Sequence, residues 1–193
     1  MPKSAPTIKV IGVGGAGLQA IDHMSRAGLD GLASAAVHTD ARLLGASPLA
    51  QKILLGSALT RGLGAGGDPD VARAAAEADT QVLNELCAGA DLVVVVAGLG
   101  GGTGSGGAPV VARVAREQGA LVLGLVVLPF EFEGHRRQQQ AQLALRQLKT
   151  AADAVICLPN QKVTKLIDEK TTLVETFRIA HDLPGQGLAG LWR

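Results

Sequence analysis

Glycine dominates the positions that could do chemistry in this chain, because of where it clusters. Gly98-Leu99-Gly100-Gly101-Gly102-Thr103-Gly104-Ser105-Gly106-Gly107 follows the apolar run Leu92-Val93-Val94-Val95-Val96-Ala97. A helical segment opened by Ala108-Pro109 comes next, with proline expected at a first-turn position where its missing N–H costs nothing. A strand, a glycine-rich turn and a helix start together present unpaired backbone N–H groups to an anion, and the helix dipole adds to them. Two further clusters, Gly12-Val13-Gly14-Gly15-Ala16-Gly17 and Arg61-Gly62-Leu63-Gly64-Ala65-Gly66-Gly67, also follow short apolar segments. One such turn accommodates a pyrophosphate, whereas two or three on one edge suit a longer phosphate chain wrapped in N–H donors.

Other chemistries fit the residues less well. No G-x-x-x-x-G-K-[ST] sequence occurs, so the lysine of a Walker-type site is absent. Charge neutralisation would fall to main-chain dipoles, to hydroxyls such as Thr103 and Ser105, and to a bound Mg²⁺. Ser105 does not sit in a nucleophile elbow, because Thr103 takes the first glycine position of G-x-S-x-G. His23, His38, His135 and His181 show no metal-ligand spacing. Cys87 and Cys157 are far apart and read as small buried apolar residues in a reducing compartment.

The elements that must position these loops alternate. Ile8–Ile11 reads as a strand, Leu18–Ala27 as a helix with apolar residues at 18, 20, 21 and 24, and Ala35–His38 as a strand delivering Thr39 and Asp40. This is a βαβ unit with G-x-G-x-x-G in place and an acid some twenty residues on, compatible with dinucleotide binding. Lys52–Leu55 is a short strand, and Asp68 caps a helix with Pro69 at its first position, running to about Leu86. Val71, Ala75, Val82 and Leu86 would face the core, and Arg73, Glu77 and Gln81 the solvent. A helix to Gln118, a strand Leu121–Leu128, a helix from about Gln138 to Lys149 and a strand Ala154–Leu158 complete the alternation. Lys162–Arg193 is helical in pattern but broken by Pro184, Gly185 and Gly187. The expected fold is α/β, three-layered, with a mostly parallel sheet, helices on both faces, and the functional loops at the carboxyl edge of the strands.

Bulk properties narrow the class. The chain has 193 residues, 47% of them hydrophobic and 18% charged, which suits a single globular domain with a substantial core. A net charge of +1 gives no electrostatic case for nucleic acid or an anionic membrane. Three Phe, one Trp and no Tyr leave little with which to stack bases. No apolar run approaches the roughly 20 residues of a membrane helix, and the N-terminus lacks a signal-peptide pattern. A cytoplasmic location is expected.

The loop Gly100-Gly101-Gly102-Thr103-Gly104-Ser105-Gly106 resembles the signature loop of the tubulin/FtsZ family, which clasps GTP phosphates. Ile8-Lys9-Val10-Ile11-Gly12-Val13-Gly14-Gly15 is similar to that family's first strand and loop. Leu59-Thr60-Arg61-Gly62-Leu63-Gly64-Ala65-Gly66 is similar to its γ-phosphate-sensing loop. Pro129-Phe130-Glu131-Phe132-Glu133-Gly134 with Arg137 resembles the ribose loop, and Leu158-Pro159-Asn160 the turn that supplies a guanine contact. The resemblance implies a GTP/GDP site built from Gly14, Gly15, Ala16 and Gln19, with Asp40, Ala65, Gly66 and Gly67, and with Gly100, Gly101, Gly102, Thr103, Gly104, Ser105 and Gly106. It implies further that Pro129, Glu133 and Arg137 lie at the ribose, that Asn160 and Asp182 hydrogen-bond the guanine edge beside His181, and that Phe177 stacks on the base. A carboxylate accepting from guanine N1 and N2 would reject adenine by leaving buried groups unpaired.

Departures from the family pattern are local. Ala16 and Leu18 take two glycine places, and Gln19, His38 and His181 stand where asparagine is usual. The resemblance also implies a long central helix, of which residues 183–193 would be a stub, then an acidic synergy loop and a second domain. On that reading residues 1–193 are one GTP-binding domain with 1–7 flexible. It would bind nucleotide, and hydrolysis would need the acidic loop of a full-length FtsZ-like partner subunit. Self-association is also expected, because a truncated central helix would leave an apolar strip exposed. Two other readings stay open: a non-catalytic regulator of a full-length filament protein, and a dinucleotide-dependent oxidoreductase in which Asp40 holds the adenosine ribose.

Overall fold

A computed structural model of the chain describes residues 5–26 and 33–159. In chain order the elements are β1 (Ile8–Val13), α1 (Gly14–Arg26), β2 (Ala33–His38), α2 (Ala41–Ala46), β3 (Gln51–Leu54), α3 (Ser57–Thr60), α4 (Pro69–Ala78) and α5 (Thr80–Cys87). They continue as β4 (Leu92–Gly98), α6 (Gly102–Glu117), β5 (Leu121–Leu128), a 3-10 turn (Glu131–Glu133), α7 (His135–Ala151) and β6 (Ala154–Pro159). The strands form a six-stranded sheet ordered β3-β2-β1-β4-β5-β6, and every pairing is parallel.

Successive strand side chains serve two separate cores. Val93, Val95 and Ala97 pack with Leu83, Val111 and Leu148 on one face. Val94 and Val96 pack with Leu18, Ile21, Met24 and Leu44 on the other. A strand covered on both sides must be apolar at every position, which is why β4 and β5 are unbroken hydrophobic runs. The chain builds outward from β1 to β3 and then returns to lay β4 against the other side of β1. The crevice beyond the carboxyl ends of β1 and β4 is therefore the topological switch point, where α/β sheets bind ligands.

Three local expectations need correction. No separate loop follows β1, because α1 begins at Gly14 directly after the strand ends at Val13. Likewise α6 begins at Gly102, so Pro109 lies inside the helix and not in its first turn. Both shifts have one cause: the glycines serve close packing. A Cβ on Gly17 would overlap the Val96 carbonyl oxygen, and one on Gly106 would overlap the carbonyl oxygen of Pro69. Low helix propensity at these positions is overridden by backbone contacts that only glycine permits.

The third correction concerns the helix expected to run from Pro69 to about Leu86, which is two helices broken at Asp79. The Asp79 carboxylate accepts the Gly56 N–H at 2.6 Å, which turns this residue away from the helical path. Past the break the buried stripe is Leu83, Leu86 and Cys87, and before it Ala72, Ala75 and Ala76. Val71 and Val82, expected in the core, are exposed. The start of α4 is as expected, with Asp68 Oδ1 accepting the Asp70 N–H at 2.8 Å and Pro69 in the first turn.

Candidate functional site

Two helix N-termini meet at the switch point. A Cβ on Gly14, the first residue of α1, would stand 2.8 Å from the Gly104 nitrogen in the first turn of α6. Gly14 has φ +75°, which brings the chain from strand into helix within one residue. Neither α1 nor α6 carries an acidic residue in its first turn. Their free N–H groups and positive dipole ends thus converge without internal compensation, and each end favours an anion by about 0.3–1 kcal/mol.

The meeting point opens into a cleft of about 330 Å³. That is the low end of the roughly 300–1,000 Å³ usual for small-molecule sites. Gly15 and Ala16 line it from α1, and Gly101, Gly102, Thr103 and Gly104 from α6 and its approach. Pro129, Glu133 and Arg137 form the opposite wall. At Gly101 a Cβ would meet nothing within 4 Å, so the main chain itself faces open space. The chemistry of this donor set, neutral N–H groups around a concave opening, fits a phosphate chain.

Thr39 locks the site from beneath. Its hydroxyl is 2.7 Å from that of Thr103, and both residues are buried. Its carbonyl accepts the Gly64 N–H at 3.0 Å, which ties the loop at 61–67 to the same floor. In that loop Ala65 is buried against Gly102, where a Cβ would come within 3.0 Å of the Ala65 methyl. Gly66 and Gly67 are exposed at φ +59° and +79°. The loop thus borders the α6 N-terminus.

On the far wall, Arg137 Nη1 pairs with Glu133 Oε2 at 2.6 Å. Glu133 Oε1 also accepts the Phe130 N–H at 2.8 Å, so the carboxylate is fixed while the guanidinium stays exposed. Phe130 is fully buried and stacks on Phe132, ring centroids 4.8 Å apart, which anchors the base of this loop.

Other expected site residues sit differently. Ser105 is fully buried, and its hydroxyl accepts the Gly100 N–H at 2.8 Å. Gly100, at φ +102°, lies under the Arg137 backbone, and Gly106 packs on Pro69. These three shape the turn and are not among the residues lining the cleft. Gln19 is exposed on α1, also outside the lining set. Asp40 caps α2, its Oδ1 accepting the N–H groups of Arg42 and Leu43 at 2.9 and 3.0 Å. Those bonds, Leu43 first, hold its carboxyl below the usual range despite some desolvation. Asn160, Phe177, His181 and Asp182 lie outside the described residues.

Leu43, Leu99, Val127 and Leu128 line the cleft without having been named as site residues, and His38 entered the sequence reading only as a residue standing where asparagine is usual. The signal for His38 was available, since it ends β2 at the carboxyl edge. Val127 and Leu128 are hidden in the apolar run of β5, and Leu99 sits among the glycines that follow β4. Among the described residues, no group of three or more His, Cys, Asp or Glu could hold a metal ion. No helix there is long and apolar enough to cross a membrane.

Comparison with known proteins agrees with this geometry. The family model described as the Tubulin/FtsZ family, GTPase domain, matches residues 7–168. An empty FtsZ dimer from M. jannaschii is similar at TM-score 0.94 and 36% identity, covering 98% of this chain and 55% of that one. A protofilament of CetZ2 from Haloferax volcanii, with GTPγS bound, is similar at TM-score 0.85 and 28% identity, covering 96% and 57%. The GDP-bound CetZ1 monomer from the same organism is similar at TM-score 0.80 and 26% identity, covering 95% and 58%. The chain thus spans a little over half the length of these structures. The glycine signature, the parallel sheet and the matched residues all carry one conclusion: this chain belongs to the Tubulin/FtsZ family and contains its GTPase domain.

Proposed function

We propose that the cleft binds GTP and GDP, with the phosphates held by the N–H groups of Gly15, Ala16 and residues 101–104. The observation that carries this reading is the convergence of the α1 and α6 N-termini at Gly14 and Gly104. The ribose would lie toward Pro129, with Glu133 and Arg137 beside it. Guanine recognition is assigned to Asn160, Phe177, His181 and Asp182, and γ-phosphate contact to residues 65–67. A Mg²⁺ ion would enter with the phosphates, holding most of its waters and neutralising charge that no lysine among the described lining residues offsets.

Binding is the first role of this site, and GTP hydrolysis a second that requires a positioned water. An FtsZ-like cytoskeletal role, in cell division and septation, follows from the family. Association with a second copy or with a full-length FtsZ-like subunit accords with the dimer and protofilament seen among its relatives. The dinucleotide reading is disfavoured because Asp40, its ribose ligand, already caps α2 through Oδ1.

Equilibrium titration with fluorescent GTP, GDP, ATP and NAD tests this. Guanine nucleotides should bind at micromolar or tighter Kd, and ATP and NAD far more weakly. Equal affinity for NAD, or no binding of GTP and GDP, would overturn the reading.

A further inference from the structure

Gln138, the fourth residue of α7, reaches back across the 3-10 turn to the end of β5. Its Nε2 donates to the carbonyl oxygens of Pro129 and Phe130, each at 3.0 Å. A primary amide carries two N–H donors on one nitrogen, so two successive carbonyls converging on that atom use both. These bonds fasten a helix start that has no side-chain cap. Gly134, the N-cap of α7, sits at φ +99°, and a Cβ there would meet nothing within 4 Å. Gln138 itself is half-buried and is not among the residues lining the cleft.

The turn it grips carries the wall of the cleft opposite the glycines. The Phe130 N–H is held by Glu133 Oε1 at 2.8 Å, and its carbonyl by Gln138 and by the Glu133 N–H at 3.1 Å. Glu133 pairs through its other oxygen with Arg137, so Pro129, the carboxylate and the guanidinium are tied into one unit. Behind that unit lies Gly100, where a Cβ would stand 3.2 Å from Pro129 Cγ and 3.0 Å from the Arg137 carbonyl oxygen. Gly100 leads into α6, so the two walls of the cleft touch there. The Gln138 bonds, acting against that contact, set how far Glu133 and Arg137 stand from the N–H groups of residues 101–104.

We propose that Gln138 is a positioning residue for the sugar of the bound nucleotide. By tying α7 to the end of β5 it holds Glu133 and Arg137 at the ribose hydroxyls, and so sets the preference for ribonucleotides over sugars without those hydroxyls. The inference rests on the nucleotide reading of the cleft and on the ribose lying beside Glu133 and Arg137. Hydrogen bonds weaken steeply once their geometry is lost. A wall displaced by about 1 Å gives up the hydroxyls, while the phosphates, held by other residues, keep their donors.

The test compares GDP with 2′,3′-dideoxy-GDP, which differ only in the two sugar hydroxyls, by equilibrium titration of the whole chain. Wild type, Q138M and Q138K are used, since the three residues have similar helix propensity. Methionine approximates the length of glutamine but has no donor, whereas lysine differs in shape and brings N–H donors to the same carbonyls. Wild type should prefer GDP by about tenfold or more, the order of a hydrogen bond to a charged group. In Q138M that preference should fall by roughly fivefold or more, with the affinity for dideoxy-GDP little changed. Q138K should keep most of the preference. A packing role gives the reverse order, with methionine the better replacement, and a general loosening of the fold weakens both ligands together.

An unchanged preference in Q138M, or methionine preserving it better than lysine, overturns the assignment and leaves the nucleotide site standing. Equal binding of both ligands by wild type removes the ribose placement and the inference with it, and no GDP binding removes the site as well. Reciprocity gives an answer independent of any variant: if the Gln138 bonds favour the sugar contact, the sugar contact strengthens those bonds. The Gln138 side-chain amide protons of wild type should therefore exchange more slowly at saturating GDP than at saturating dideoxy-GDP. Equal exchange overturns the proposal.

Discussion

Gly101 and Gly104, three residues apart at the start of α6, answer different demands. Gly101 has φ −95° and ψ −177°, a conformation any residue adopts, and its missing side chain leaves open space in the cleft. Gly104 is closed in, because a Cβ there would overlap the Gly98 carbonyl oxygen. G101A should therefore fold with a loss of about 1 kcal/mol or less, and bind GDP roughly tenfold more weakly as the methyl enters the phosphate space. G104A should cost roughly 3 kcal/mol, since the obstacle is backbone and cannot rotate away. Urea unfolding of both variants with GDP titration of the first checks the pair. Equal stability losses would mean that the close approach of α6 to β4 is not what demands glycine.

At the scale of elements, the strands and the start of α4 were legible, and the starts of α1 and α6 were not. β4 and β5 are bounded in the sequence by the limits of their apolar runs, because both faces are covered. The beginnings of α1 and α6 were hidden because glycine argues against helix locally, while the gain comes from distant backbone: Val96 for Gly17, Pro69 for Gly106. The break at Asp79 was hidden for a similar reason, since its partner Gly56 lies 23 residues back. Of the site, the glycine loops and the Glu133–Arg137 pair were readable as motifs. His38 was readable only as a residue standing where asparagine is usual, because a lone histidine without ligand spacing shows no place in the cleft until the sheet brings β2 and α1 together.

The packing of α1 on β4 allows a compensation experiment. A Cβ on Gly98 would lie 2.6 Å from the Ala16 methyl, a contact between two small groups and not with backbone. G98A alone should lose about 1–3 kcal/mol from overpacking. Adding A16G removes the obstructing methyl, so the double variant should recover much of that loss in a denaturant-unfolding cycle, less about 1 kcal/mol for glycine in a helix. Strict additivity of the two losses would show that α1 shifts along β4 and that the two residues are not in competition.

At the scale of the described molecule, both halves of the sheet contribute to the cleft's surface. β1 with α1, and β2 with Thr39, come from the first half; β4 with α6 and the wall after β5 come from the second. A ligand seated there adds a further bridge between segments already joined by the β1–β4 pairing and the cores on both faces of the sheet. Saturation with GDP at about 100 times Kd should stabilise the native state by about 2.7 kcal/mol. That gain should not be spread evenly if it acts through the cleft. Amides at 14–17, 101–104 and Gly64, whose N–H reaches the Thr39 carbonyl, should exchange more slowly by local protection beyond the global shift. Amides of α5 and of the α6 C-terminal half, which lie in the distal core, should follow the global shift alone. Hydrogen exchange with and without GDP reads both sets at once. If the two sets slow equally, nucleotide acts only by mass action on global unfolding. If α5 slows and residues 101–104 do not, the ligand sits elsewhere and the switch-point cleft is not its site.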